Sequence, residues 1–204
     1  MSLGALRLSG LATGLALALA SSPPHEGEVV PPPDAVRDAL SLAPFYAKYV
    51  DAGGLAVVGS ERVNDFALLE ARYLVDRMLA GRDDLRAAIA GSGTRLAVMA
   101  HDEMTTDVPE HSDLEPADWW DRRARGLGAT TVRPAVSCGE ENLLEFPGDP
   151  YAAENILVHE FGHVIHEMGL RRVDEGFDER LRAARDAALA AGLWEGTYAA
   201  TNPS

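Results

Sequence analysis

Apolar and polar residues alternate along this chain with two periods. "GGLAVVGS" (residues 53–60) and "TRLAVMA" (94–100) are short apolar runs bounded by turn residues, which predicts two buried strands. Between them, "VNDFALLEARYLVDRMLAG" repeats apolar residues at helical spacing through Phe66, Leu69, Tyr73, Val75 and Leu79. That predicts a helix over 64–80 with Gly81 as its stop. A shorter helix is expected over 83–90, ending at "GSG". Residues 101–129 are polar and hold two prolines, so they read as an irregular excursion with a turn of helix near Trp119. "TVRPAVSCGEENLL" supplies one or two short strands, and Pro134 suggests that one lies at a sheet edge.

The later part of the chain is helical in pattern. Asp149 is a suitable N-cap and Pro150 suits the first helical position, so a helix is expected from Tyr151 to Met168, with Gly169 as a left-handed stop. A last helix, 174–191, carries Phe177, Leu181, Ala184, Ala188 and Leu189 on one side. Strands early and helices late, without β-α-β alternation, indicate the α+β class.

The first of these two helices carries chemistry. In "VHEFGHVIHEMG" (158–169), His159 and His163 are four residues apart, so their imidazoles project from one face. Neutral imidazole is a ligand for Zn²⁺, and an open catalytic zinc site takes three protein ligands and a water. Glu160, between them, is placed to act as general base on such a water. Phe161, Val164, Ile165 and Met168 form the apolar side of the helix, opposite the histidines. Gly162 costs about 1 kcal/mol relative to Ala in a helix interior, which suggests close packing there.

The amino terminus lies outside this pattern. Arg7, a thirteen-residue apolar run and Ala18-Leu19-Ala20 form the sequence of a secretory signal peptide over residues 1–20, so a secreted or extracytoplasmic protein is expected. Residues 21–33 read as a Pro-rich linker in which His25 is a solvated loop residue, with the folded domain over 34–204. The net charge of −14 argues against nucleic acid as a partner and, after removal of the leader, against anionic membrane. Oligomeric state has no signature in the sequence. Cys138 is the only cysteine, so no internal disulfide can form; a small buried hydrophobe is one reading and a free or intermolecular thiol the other.

The third metal ligand is not given by spacing. His166 and Glu167 lie two turns past His159, about 10 Å along the axis, too far to share one ion with it. Six residues after His163 stands Gly169 instead of the histidine of the metzincin pattern, which excludes that class. Asp174, Glu175, Asp178 and Glu179 suit the first turn of the next helix, with a ligand among them left open. His101 and His111 read as surface or locally hydrogen-bonded residues.

"HEFGH" paired with the distant "TYAATNPS" resembles the secreted bacterial and fungal zinc peptidases that include the catalytic domain of anthrax lethal factor. The resemblance covers about residues 45–204 and is sharp only at these two stretches, with "PFYAKYVDAGGLAVVGSERVND" and "GEENLL" adding weaker support. It implies a zincin-like fold with a small mixed sheet, in which the helix over 64–80 backs the active helix. It also implies a zinc metalloendopeptidase acting on proteins or peptides, with His159 and His163 as metal ligands and Glu160 as general base. Tyr198 matches a tyrosine that donates a hydrogen bond to the developing oxyanion. The family's third ligand is a glutamate seven residues after that tyrosine. Position 205 lies past Ser204, so the catalytic domain is expected to be incomplete at its carboxyl end. The alternative is a non-enzymatic or degenerate secreted zincin-fold protein that lacks this ligand.

Overall fold

Strand residues alternate between two apolar clusters, and this alternation explains why the strands are buried on both faces. Val57 of β2 (Leu55–Gly59) and Leu96 and Val98 of β3 (Arg95–Met99) point into one cluster; Ala56, Val58, Ala97 and Met99 point into the other. Side chains of successive strand residues leave opposite faces, so a strand covered on both sides needs apolar residues throughout. With β1 (Lys48–Ala52), β4 (Gly126–Leu127) and β5 (Ala135–Gly139), these strands form a five-stranded mixed sheet in the order β1-β2-β3-β5-β4. The pairs β1/β2 and β4/β5 are antiparallel, and β2/β3 and β3/β5 are parallel. The computed structural model describes residues 27–197, so the expected signal peptide, His25 and Tyr198 lie outside the described residues.

The first cluster is roofed by α2 (Asp65–Met78), α3 (Asp83–Ala90) and α6 (Ile156–Val164). On the other face lie α1 (Asp34–Leu40) and the loop carrying Leu42 and Tyr46. Two single turns of 3₁₀ helix, α4 (Ala117–Arg123) and β4 make up the excursion between β3 and β5. After β5 come α5 (Glu140–Leu143), then α6, a π-helical turn over Ile165–Leu170, α7 (Arg171–Val173) and α8 (Phe177–Ala190). The class is α+β with a small mixed sheet.

Several expectations change. The path from β2 through α2 and α3 to parallel β3 is a β-α-β crossover, so such alternation is present after all. In α2 the buried face is Ala67, Leu68, Ala71 and Val75; Phe66 and Tyr73 are 71% and 56% exposed, because small residues let the helix lie close on the sheet. Pro134 does not mark an edge. It precedes β5, an interior strand, and its carbonyl accepts from the Arg95 amide. The linker's end is tied down, with Val30 exchanging backbone hydrogen bonds with Tyr49 at 3.0 and 2.7 Å. The last helix starts at Phe177 and not at Asp174, and none of its residues is buried among the described residues.

Candidate metal centre

Two asparagines set where the helix carrying His159 and His163 begins. Asn155 caps α6 by accepting the Val158 amide at 2.9 Å. The Asn142 carboxamide, nearly buried, accepts the Ile156 amide at 2.8 Å and donates to the Tyr151 and Glu154 carbonyls and to Asp149 Oδ2. The helix therefore starts at Ile156, not Tyr151. Asp149 instead accepts the Tyr151 amide at 2.9 Å within a preceding turn.

Buried Ile156, Leu157, Phe161, Val164 and Met168 lock the inner face of this helix, and Ile165 is half-buried beside them. His159 and His163 are thereby held on the exposed side, ring centroids 5.2 Å apart at an interplanar angle of 63°. A ligand atom from each of His159, Glu160 and His163 lies within 4.8 Å of the others. Among the described residues no further His, Cys, Asp or Glu joins this group.

Glu160 is half-buried between the helix and the edge strand. Burial raises its pKa above the ordinary carboxylate value, an effect opposed by His159 and His163. The strand comes this near because of two glycines that the sequence pattern left inside the excursion. A Cβ on Gly126 would clash with the Ile156 side chain and stand 2.7 Å from the Ser137 carbonyl oxygen. A Cβ on Gly128 would sit 3.3 Å from His163 Cβ and 3.4 Å from Glu160 Oε2. The spacing Gly-Leu-Gly was the available signal. Asn142, a buried polar hub inside "GEENLL", had none.

The other glycine expectations reverse. Gly162 is exposed, and a Cβ there would meet nothing within 4 Å, so no close packing explains it. Gly169 does not stop the helix. It is buried in the π-helical turn, where a Cβ would stand 3.2 Å from Leu85 and 3.5 Å from Ile89 of α3. The helical path continues to Val173.

Of the remaining candidates, Glu175 and Glu179 are exposed and stand outside this group, and the others are engaged elsewhere. His166 Nε2 lies 2.7 Å from Asp178 Oδ1, and Arg171 bridges Asp178 and Glu167. Asp174 pairs with Arg180. His101 is exposed, with Nδ1 3.1 Å from Glu140 Oε1. His111 is fully buried and not at the surface; its Nε2 is 3.1 Å from Ser137 Oγ, which also accepts the Leu127 amide of the edge strand. Cys138 is buried in β5, and desolvation raises its thiol pKa far above the usual range, which fits the small-hydrophobe reading.

A cavity of about 500 Å³ opens against the same face of α6, lined by Trp119, Trp120, Arg123, Tyr151, Ile156, His159 and Glu160 among others. No protein-family model, curated protein or solved structure matches the chain.

Proposed function

We propose that this chain is the catalytic domain of a secreted zinc-dependent metallopeptidase that hydrolyses peptide bonds in proteins or peptides. One observation carries the reading: His159, Glu160 and His163 converge within 4.8 Å on the open side of a helix whose other side is buried. The donor set fits zinc, since two neutral imidazoles are ligands of that ion and the carboxylate between them stands beside the place it would occupy. When bound, the ion supplies a Lewis acid that polarises a carbonyl and acidifies water.

The chain's own residues supply the rest. Glu160 takes the proton of the attacking water and returns it to the leaving nitrogen. Its carboxylate is oriented by the close passage of Gly128 and shielded on one side by the edge strand, while the cavity leaves its other side open to substrate. Tyr198, outside the described residues, is assigned the oxyanion donor by the resemblance alone. Export rests on the pattern of residues 1–20. Among the described residues no helix is long and apolar enough to cross a membrane.

A second reading, a non-enzymatic or degenerate zincin-fold protein, is favoured by the same census: only two imidazoles and Glu160 converge among the described residues. One experiment separates the two. For a chain extended through the glutamate that the resemblance calls for at position 205, the metallopeptidase reading predicts casein cleavage that a chelator abolishes and added zinc restores. An extended chain that folds but cleaves nothing at saturating zinc supports the second reading, and cleavage indifferent to chelators contradicts the first.

A further inference from the structure

Two tryptophans on a seven-residue helix that buries nothing call for a physical reason. In α4, Trp119 is 42% exposed, and its ring packs edge-on against Trp120 with centroids 4.7 Å apart. The helix itself is well anchored. Asp121 accepts the Thr106 amide at 2.9 Å and its hydroxyl at 3.0 Å, and the Tyr151 hydroxyl donates to the Arg123 carbonyl. The indoles are thus held in place on one wall of the cavity that His159 and Glu160 also line. A cavity of about 500 Å³ with fixed aromatic walls and a few polar groups has the size and character of a ligand site.

Charge on that wall is selective. Arg122 pairs with Asp118 at 2.9 Å and Arg125 with Glu141 at 2.5 Å, but Arg123 forms no ion pair among the described residues. Its guanidinium lies 4.8 Å from the Trp119 ring centroid. A planar guanidinium stacked on an indole presents a flat face to a further aromatic ring, and its charge repels a lysine or arginine side chain. Glu154 and Glu160, on the same cavity, disfavour an acidic one.

We propose that this cavity is a substrate subsite selective for an aromatic side chain, packed against Trp119 and Trp120 and screened against basic side chains by Arg123. The proposal rests on the metallopeptidase reading for the word substrate. Its test does not require cleavage.

The indole N–H signals of the Glu160→Gln chain are followed by NMR during titration with capped tripeptides Ala-Xaa-Ala, where Xaa is Phe, Ala, Lys or Glu. The Phe peptide is expected to shift the Trp119 and Trp120 signals saturably and leave Trp194 unmoved, with the Lys peptide about tenfold weaker. Trp119→Ala is expected to weaken the Phe peptide by about tenfold, and Arg123→Gln to narrow the preference for Phe over Lys. Trp119 is 42% exposed and α4 is anchored through Asp121 and the Arg123 carbonyl, so that variant should keep the wild-type backbone amide spectrum outside α4. Absence of saturable shifts, or equal binding of the Ala and Phe peptides, overturns the subsite even if the wild-type chain is a zinc peptidase. Aromatic-selective binding in a chain that cleaves nothing even when extended through position 205 supports the subsite as a peptide pocket and overturns the enzyme.

Discussion

One helical run holds two histidine regions with opposite fates. In α6, His159 and His163 face outward 5.2 Å apart and have no carboxylate or hydroxyl partner among the described residues. Three residues past His163, where the run changes to a π-helical turn, His166 is held by Asp178 at 2.7 Å and packs 5.5 Å from the Phe177 ring. Protein groups satisfy the second region and leave the first open. An imidazole already bonded to a carboxylate has lost a ligand position, whereas a pair that converges with nothing between its rings is available to an external acceptor of lone pairs. His111 is a third case, fully buried with Nδ1 unpartnered and Nε2 near Ser137. Histidine as a residue type implies little; its neighbours decide whether it is a ligand, a strut or a core group.

The comparison can be broken in several ways. Glu160→Gln should lower peptide hydrolysis by roughly 10²- to 10⁴-fold while zinc content stays unchanged, measured by turnover and elemental analysis. Equal activity in the variant would leave the open region without its base. Gly126→Ala should destabilise the fold by about 1–3 kcal/mol in denaturant unfolding, because a methyl there would clash with Ile156 and stand 2.7 Å from the Ser137 carbonyl oxygen.

His111 gives a pH dependence. Burial lowers its pKa, with Glu110 and Asp113 opposing and Arg133 reinforcing the shift. Its contribution is fully present above the unfolded value of about 6.5 and is lost as pH falls from there toward the folded value. Unfolding free energy should therefore drop on acidification, by at most about 1.4 kcal/mol per pH unit from this group, and His111→Gln should flatten that slope. The smallest effect is at Gly162, where Ala meets no neighbour and should stabilise the chain by about 0.5–1 kcal/mol.

Local periodicity made much of this visible in advance. β2, β3, α2 and α3 fall where apolar runs and helical spacing place them, because each is a short segment whose own pattern suffices. The convergence of His159, Glu160 and His163 follows from the pitch of a helix alone. Tertiary packing accounts for what was missed. Phe66 and Tyr73 looked like core residues, yet Ala67 and Ala71 are the ones that let α2 settle on the sheet. Phe177 and Leu181 predict a packed face on α8 that the described residues cover only in part, with Phe177 half-buried beside His166 and Leu181 exposed. The start of α6 depends on Asn142, thirteen residues upstream of Asn155, and no local signal reports a contact across that distance. Gly126 and Gly128 matter through the helix they touch, which belongs to another part of the chain.

The central claim is that His159 and His163, and not His166, grip a metal ion. Its most direct measurement is zinc bound per chain after dialysis against limiting free zinc, for the wild type and for His159→Ala, His163→Ala and His166→Ala. The account predicts one zinc in the wild type and in His166→Ala, and an affinity loss of at least about 100-fold in each of the other two. A wild-type chain without zinc, or zinc retained by both His159→Ala and His163→Ala, would contradict it.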